Sequence, residues 1–263
     1  MNKKILISLV IFGMASTALG AESTRWPYPK ESGRYQVRQL SNNAILWTID
    51  WTTTVTQSSG HAQIQITETG EGKIPKYKQP VKWTKQFSFK ESEGGTLSFD
   101  EMKSTRSLQS GEFVDASTVT RGSGGISYHD AEKGKKEKQG NFPGGPDVLP
   151  DEMLFHWARM VPKEGPLPQP VREALFILSA GRAVTMQARV AKVETVKVPA
   201  GEFACYRMEL APKLPGGLKM FAPKMTIWCR QEAPYAWVRY EGPLGGSPGA
   251  PRAIIELMEW SHQ

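Results

Sequence analysis

Apolar and polar residues alternate with a period of two over most of this 263-residue chain. Between Val81 and Lys90, for example, Val81, Trp83, Phe87 and Phe89 share one phase, and the other phase is polar. Such alternation is typical of antiparallel β-sheet that packs one face and exposes the other to water. The chain is therefore predicted to be mainly β.

The same period recurs in segments separated by turn residues. These segments lie near residues 45–57, 63–67, 95–99, 104–108, 113–120, 125–129, 182–190, 195–198, 202–210, 225–230, 235–240 and 253–260. Together they predict one large curled antiparallel sheet or a half-open β-barrel. The basic cluster Lys133–Lys138 is interpreted as a solvated hairpin tip.

The pattern changes near residue 150. Pro150 precedes Asp151 and Glu152, and acidic side chains are favourable at a helix N-terminus. Apolar residues then recur three and four positions apart until Pro162, which predicts an amphipathic helix. The segment Val171–Ser179 fits either a second short helix or a strand. One or two short helices are thus expected around residues 150–180.

The N-terminus has the composition of a secretory signal. Two lysines precede the apolar run Ile5–Met14, and the small residues Ala18 and Gly20 precede the expected cleavage point after Gly20. Residues 1–20 are predicted to be the signal peptide, 21–40 a lead segment and 41–263 one β-rich domain. The expected location is the periplasm, with no transmembrane span after cleavage.

The formal charge is mildly positive, since 33 Lys and Arg stand against 26 Asp and Glu, a net charge of +7. Such a surplus serves solubility or favours an anionic partner in the cell envelope. The expected partners are a lipid, a glycan or an envelope protein. A nucleic acid partner conflicts with export.

Two cysteines, Cys205 and Cys229, lie in strand-like segments on either side of the turn sequence Pro215–Gly217. Folding the chain at this turn places the two residues on adjacent antiparallel strands. In an oxidising compartment, such a pair is predicted to form a disulfide. Their spacing matches no metal site, and no histidine lies near either of them in the sequence.

Aromatic residues are concentrated on the apolar phase of several strands. They fit either core packing or a slot for an apolar ligand, and composition does not separate the two. The candidate ligand-lining residues are Trp47, Trp51, Trp83, Phe87, Phe89, Trp228 and Trp237.

The sequence carries little catalytic chemistry. None of its four histidines has metal-ligand spacing, and nucleophile and phosphate-binding motifs are absent. His129 and Asp130 are neighbours on a predicted strand and so point to opposite faces. Glu152 and His156 share a helix face, which suits a surface hydrogen bond or general acid–base chemistry. No catalytic residue, metal or cofactor is predicted.

Three segments resemble a bacterial family catalogued as domain of unknown function 3108. They are Val196–Leu210 with its Pro-Ala-Gly-Glu-Phe turn, Ile126–Asp130, and Asp147–Arg159 at the place of that family's single helix. The resemblance implies an exported, envelope-associated protein with a large curled antiparallel sheet. The family has no established activity, so it implies no functional residues.

These observations favour a non-catalytic periplasmic protein that binds an apolar or envelope-derived ligand. One alternative is an envelope scaffold or interaction module that uses a sheet edge or the loop Pro243–Pro251. A less favoured alternative is a hydrolase built on dispersed carboxylates or on His156 and Glu152.

Overall fold

The computed structural model describes residues 28–58, 61–74, 77–91, 97–145, 147–161, 163, 165–178, 182–214, 216, 222–244 and 250–263. The expected signal peptide and the start of the lead segment lie outside these residues. A 3-10 turn at Asp151–Met153 leads into the helix α1, Leu154–Met160. The strands are β1 Lys30–Gln39, β2 Ile45–Ser58, β3 His61–Gly72, β4 Val81–Glu91, β5 Leu97–Leu108, β6 Phe113–Gly122, β7 Gly125–Glu132, β8 Lys138–Phe142, β9 Val148–Pro150, β10 Arg172–Leu178, β11 Arg182–Val198, β12 Gly201–Pro212, β13 Met225–Arg230, β14 Trp237–Pro243 and β15 Arg252–His262.

The fifteen strands form one curled, unclosed sheet in the order β8-β7-β6-β5-β4-β3-β2-β1-β15-β14-β13-β12-β11-β10-β9. Strands β1 to β8 are one antiparallel meander and β10 to β15 are another, and β9 lies parallel to β10 at the edge of the second, which makes the sheet mixed. Antiparallel pairing of β1 with β15 joins the two meanders. The predicted mainly β fold is confirmed. Residues 30–39, assigned to the lead segment from sequence, form β1 at this junction.

Chain connectivity forces the sheet to curl. Strands β8 and β9 lie at opposite ends of the strand order, yet Phe142 ends β8 and Val148 begins β9. The six peptide steps between these two residues span at most ~20 Å. A flat sheet of fifteen strands would be ~65 Å wide at the usual strand spacing. The two edge strands must therefore come close together in space.

Arg121, near the end of β6, fastens the connection between these edges. Its guanidinium donates from Nη1 to the Gly145 carbonyl at 2.7 Å and from Nη2 to the Val148 carbonyl at 2.9 Å. Its Nε donates to the Phe99 carbonyl of β5 at 2.8 Å. One side chain thus ties strands of the first meander to the beginning of the second.

Helix α1 lies on one face of the sheet, which we call the inner face. The strands on either side of the helix, β9 and β10, are parallel, and parallel neighbours need a crossover connection. Here α1 supplies that connection. Large apolar side chains from several strands are buried on the inner face, among them Ile64, Ile66, Phe87, Phe89 and Met102.

Charged side chains hold α1 against the sheet. Arg159 Nη2 donates to Glu31 Oε1 of β1 at 2.7 Å, and these side chains are only 3% and 0% exposed. Just beyond the helix, the Lys163 ammonium donates to the carbonyls of Ala158, Arg159 and Val161. A cation at this end also suits the helix dipole.

Several sequence predictions change in detail. The segment that fitted either a helix or a strand forms the strand β10, so the described residues contain one short α-helix. The two candidate strands near residues 95–99 and 104–108 are the single strand β5 in the described residues. Residues 133–137 connect β7 and β8, in agreement with the predicted hairpin tip. In the described part of the chain, no helix is long and apolar enough to cross a membrane.

We expect Glu31→Gln to destabilise the protein by about 3–5 kcal/mol, because the buried Arg159 guanidinium then loses its carboxylate. Urea unfolding measures this loss. The control is Asp50→Asn, which removes a partner of Arg34 in an exposed ion pair between β1 and β2 and should cost far less. Equal losses for the two variants would contradict the anchoring role of Glu31.

Candidate functional site

A row of polar side chains crosses the inner face of the first meander. Glu68 of β3, Lys85 of β4, Ser104 of β5, Ser117 of β6 and Asp130 of β7 are directly paired from strand to strand. Residues directly opposite each other on neighbouring strands share a face. All five therefore point inward, and we call them the polar row.

The row interrupts an otherwise apolar face. In β4, Lys85 lies in phase with the buried residues Trp83 and Phe87, and in β3 Glu68 follows Ile66 in the same phase. Sequence reasoning missed both residues. The signal that could have found them is a charged residue at a position where the two-residue period calls for an apolar one.

Helix α1 contributes His156 to the row. The side chain is almost fully buried, and its Nε2 lies 3.2 Å from Glu68 Oε1. Its ring also contacts the Phe87 ring edge to face, with the centroids 4.7 Å apart. Burial alone would raise the pKa of Glu68, but contact with His156 and the charge of Lys85 hold this pKa below its usual range. Glu68 is therefore ionised at neutral pH.

The 3-10 turn before α1 adds two carboxyl groups. Burial raises the pKa of Asp151 well above its usual range, and the charge of Glu152 raises this pKa further. The Asp151 side chain also interacts with that of Glu152 and with the charge of Lys85. Asp151 thus retains a proton at a pH where Glu68 has lost its own.

Lys85 influences these groups without a direct partner. Its charge acts on both Glu68 and Asp151. Among the described residues, however, no acid lies within 4.0 Å of its ammonium, and no hydrogen bond involves it. A half-buried ammonium with three free donors is a group that can bind an external acceptor.

A second set of polar groups extends the site along β5 and β6. Arg106 Nε donates to Asp115 Oδ1 at 2.6 Å, and the Tyr77 hydroxyl lies 3.3 Å from Asp115 Oδ2. Within the polar row itself, the Ser117 hydroxyl donates to Asp130 Oδ1 at 2.6 Å. The site therefore combines charged acceptors, neutral hydroxyls and cationic donors.

The aromatic residues predicted from sequence fall into separate groups. Trp47 and Trp83 meet edge to face at 6.0 Å. Trp51 and Trp237 both stack on Tyr35, and Phe155 of α1 stacks on Trp237. Phe87 and Phe89 both contact the His156 ring. Trp51, Trp83, Phe87, Phe89 and Trp237 are all buried in the core.

Trp228 is separated from the other predicted aromatic residues. Its neighbours Ile227 and Cys229 are buried on the inner face, so Trp228 points outward. The Arg239 guanidinium lies over its ring at 5.4 Å, and its indole Nε1 donates to Glu194. The structure therefore does not bring all seven residues to one surface, and their contact with a ligand stays a prediction.

The two cysteines do not form the predicted disulfide. Strands β12 and β13 are antiparallel neighbours as expected, but Cys205 pairs with Arg230 and Cys229 with Tyr206. This offset of one residue points the cysteine side chains to opposite faces. Both are buried free thiols. Burial raises the pKa of Cys205 to about 12 and also raises that of Cys229.

The histidine pairs noted in the sequence also separate. His156 contacts Glu68 rather than Glu152. His129 Nε2 lies 3.1 Å from Glu137, while Asp130 accepts the Ser117 hydroxyl on the inner face. Within the described residues, no group of three or more His, Cys, Asp or Glu side chains is placed to hold a metal ion.

No family model matches the sequence, so the resemblance to domain of unknown function 3108 is not confirmed. No curated protein matches it either.

Several solved structures align with most of this chain. A beta-barrel-like protein of the domain of unknown function DUF1849 from Brucella abortus has 11% identity and a TM-score of 0.49, covering 90% of this chain and 98% of its own. A protein from Bacteroides fragilis described as a candidate exported protein with a YmcC-like fold has 10% identity and a TM-score of 0.35, covering 88% and 95%. A candidate lipoprotein from Parabacteroides distasonis has 10% identity and a TM-score of 0.36, covering 88% and 94%.

We expect a thiol reagent at pH 8 to leave Cys205 and Cys229 unmodified in the native protein and to label both after unfolding without reductant. Burial and the raised pKa values suppress the reactive thiolates in the folded state. Mass spectrometry counts the labels. Unfolded protein that takes up no label would instead show that the two sulfurs are joined.

The raised pKa of Asp151 means that the folded state holds this proton more tightly than the unfolded state. As the pH rises above 3.8, the usual pKa of an aspartate, the unfolded state ionises first, and folding stability falls. We therefore expect Asp151→Asn to gain stability relative to the wild type between about pH 4 and neutral pH. Melting temperatures across this range test the prediction, and a difference that does not vary with pH would contradict it.

Proposed function

We propose that this protein is an exported, non-catalytic binding protein of the periplasm whose ligand is a hydroxyl-rich glycan derived from the cell envelope. The observation that carries the proposal is the polar row, which places the unpaired Lys85 ammonium on an otherwise apolar inner face. The leader-like N-terminus and its expected cleavage after Gly20 support the location.

The chemistry of the site favours a sugar. A sugar hydroxyl both donates and accepts hydrogen bonds, so a site for it needs groups of both kinds. Glu68 and Asp130 supply acceptors. Lys85 and Ser104 supply donors. A strongly anionic ligand would meet repulsion from the carboxylates, and an apolar ligand would leave the polar groups without partners.

The apolar ligand expected from sequence finds less support. Phe87, Phe89 and Trp237 lie beneath α1, in contact with His156 or Phe155. An apolar molecule could reach these rings only if α1 left the sheet. That movement would break the buried Arg159–Glu31 pair.

One observation favours a second candidate function, hydrolysis of a glycosidic bond. Carboxyl pKa values displaced in opposite directions within one site are typical of an acid and base pair. Here Asp151 keeps its proton while Glu68 is ionised, and the charge of Lys85 acts on both. Asp151 would then protonate the leaving oxygen, and Glu68 would be the base or nucleophile.

Saturation-transfer NMR with a panel of neutral di- and trisaccharides of glucose, galactose and N-acetylglucosamine tests the proposal. We expect at least one sugar to bind the purified protein and to be recovered intact. Lys85→Met should weaken that binding by about tenfold, as expected for the loss of a hydrogen bond to a charged group.

The matched control is Lys82→Met, which removes an exposed lysine from the outer face of the same strand. It should leave sugar binding unchanged. If no sugar binds, or if both variants weaken binding equally, the proposal is wrong. A sugar that is cleaved by the wild type but not by Glu68→Gln would establish the second candidate function instead.

A further inference from the structure

Several connections between strands lie together at one end of the sheet and form a surface that is separate from the polar row. In an antiparallel meander, successive connections alternate between the two ends of the strands. The end at which β1 passes into β2 also carries the connections β3–β4, β5–β6, β7–β8, β12–β13 and β14–β15. We call this end the Leu40 rim. It is built from both meanders.

The Leu40 rim exposes large apolar side chains. Leu40 and Ile45 flank the β1–β2 connection, and Phe113 begins β6 after the β5–β6 connection. They are 40%, 62% and 46% exposed, respectively. They are three of the six large apolar residues that are exposed among the described residues.

The free charges of this rim are positive. Each of its acidic residues Glu71, Glu112, Glu132 and Glu137 already contacts a lysine or histidine. Four exposed lysines at the same rim have no acidic partner within 4.0 Å among the described residues, namely Lys73, Lys78, Lys136 and Lys224. Apolar tips surrounded by unpaired lysines complement a surface of negatively charged lipid head groups over an acyl layer.

We propose that the Leu40 rim docks on an anionic membrane surface. Ile45, Leu40 and Phe113 enter the boundary between head groups and acyl chains, and the lysines contact lipid phosphates. This surface is independent of the polar row, so sugar binding and membrane docking can fail separately. The membrane would hold the protein by its strand ends.

Co-sedimentation of the purified protein with vesicles tests this docking. We expect binding to vesicles of phosphatidylcholine with a third phosphatidylglycerol at low salt, and loss of binding at high salt. Pure phosphatidylcholine vesicles should bind far less. Each lysine near an anionic surface changes binding by about fivefold, so Lys73→Gln with Lys136→Gln should weaken binding by about 25-fold.

Matched variants at the opposite rim are the controls. Lys30→Gln with Lys197→Gln removes the same charge from exposed positions there and should change binding little. Ile45→Ser should weaken binding, whereas Val171→Ser, which alters a 50% exposed residue outside the Leu40 rim, should not. Equal effects at the two rims, or no binding by the wild type, would overturn the proposal.

Discussion

The short connection from β8 to β9 is the constraint on which the rest of the structure depends. It joins the two edges of a fifteen-stranded sheet, so the sheet must curl until those edges are near one another. Arg121 holds this arrangement by donating to carbonyls on both sides of the connection. Curling gives the sheet an inner face, and the parallel pairing of β9 and β10 requires the intervening chain to cross that face.

The crossing explains where the polar site lies. Helix α1 is anchored at its far end by Arg159 and Glu31, and its first half brings His156 beside Glu68. The 3-10 turn that precedes it brings Asp151 to the same region. The site thus arises where one short helix meets the strands of the opposite meander, and its carboxyl pKa values reflect contacts between these two parts.

Much of the fold could be predicted from sequence because alternation is a local property. Strands β2 and β4 and the helix near residue 154 can each be recognised from the pattern of about a dozen consecutive residues. Strand β1 does not, since Glu31 and Gly33 occupy inner-face positions that usually carry apolar residues. The polar row could not be predicted from sequence either. Its residues align only through the register of five neighbouring strands, which is not a local property of the sequence. A single step of register likewise separates Cys205 from Cys229.

The cationic side chains of the inner face differ in whether their N–H donors bind other groups of the protein. This difference distinguishes the cations that stabilise the fold from the one that is proposed to bind a ligand. Lys163 gives three hydrogen bonds to backbone carbonyls, and Arg159 gives its own to Glu31 and to the Pro234 carbonyl. These donors are used within the protein, as burial requires. Lys85 has the same chemistry and points to the same face, but none of its donors is used by the described residues. Lys85 instead is half-buried and acts on Glu68 and Asp151 through its charge, so its donors remain available to water and to the ligand proposed above.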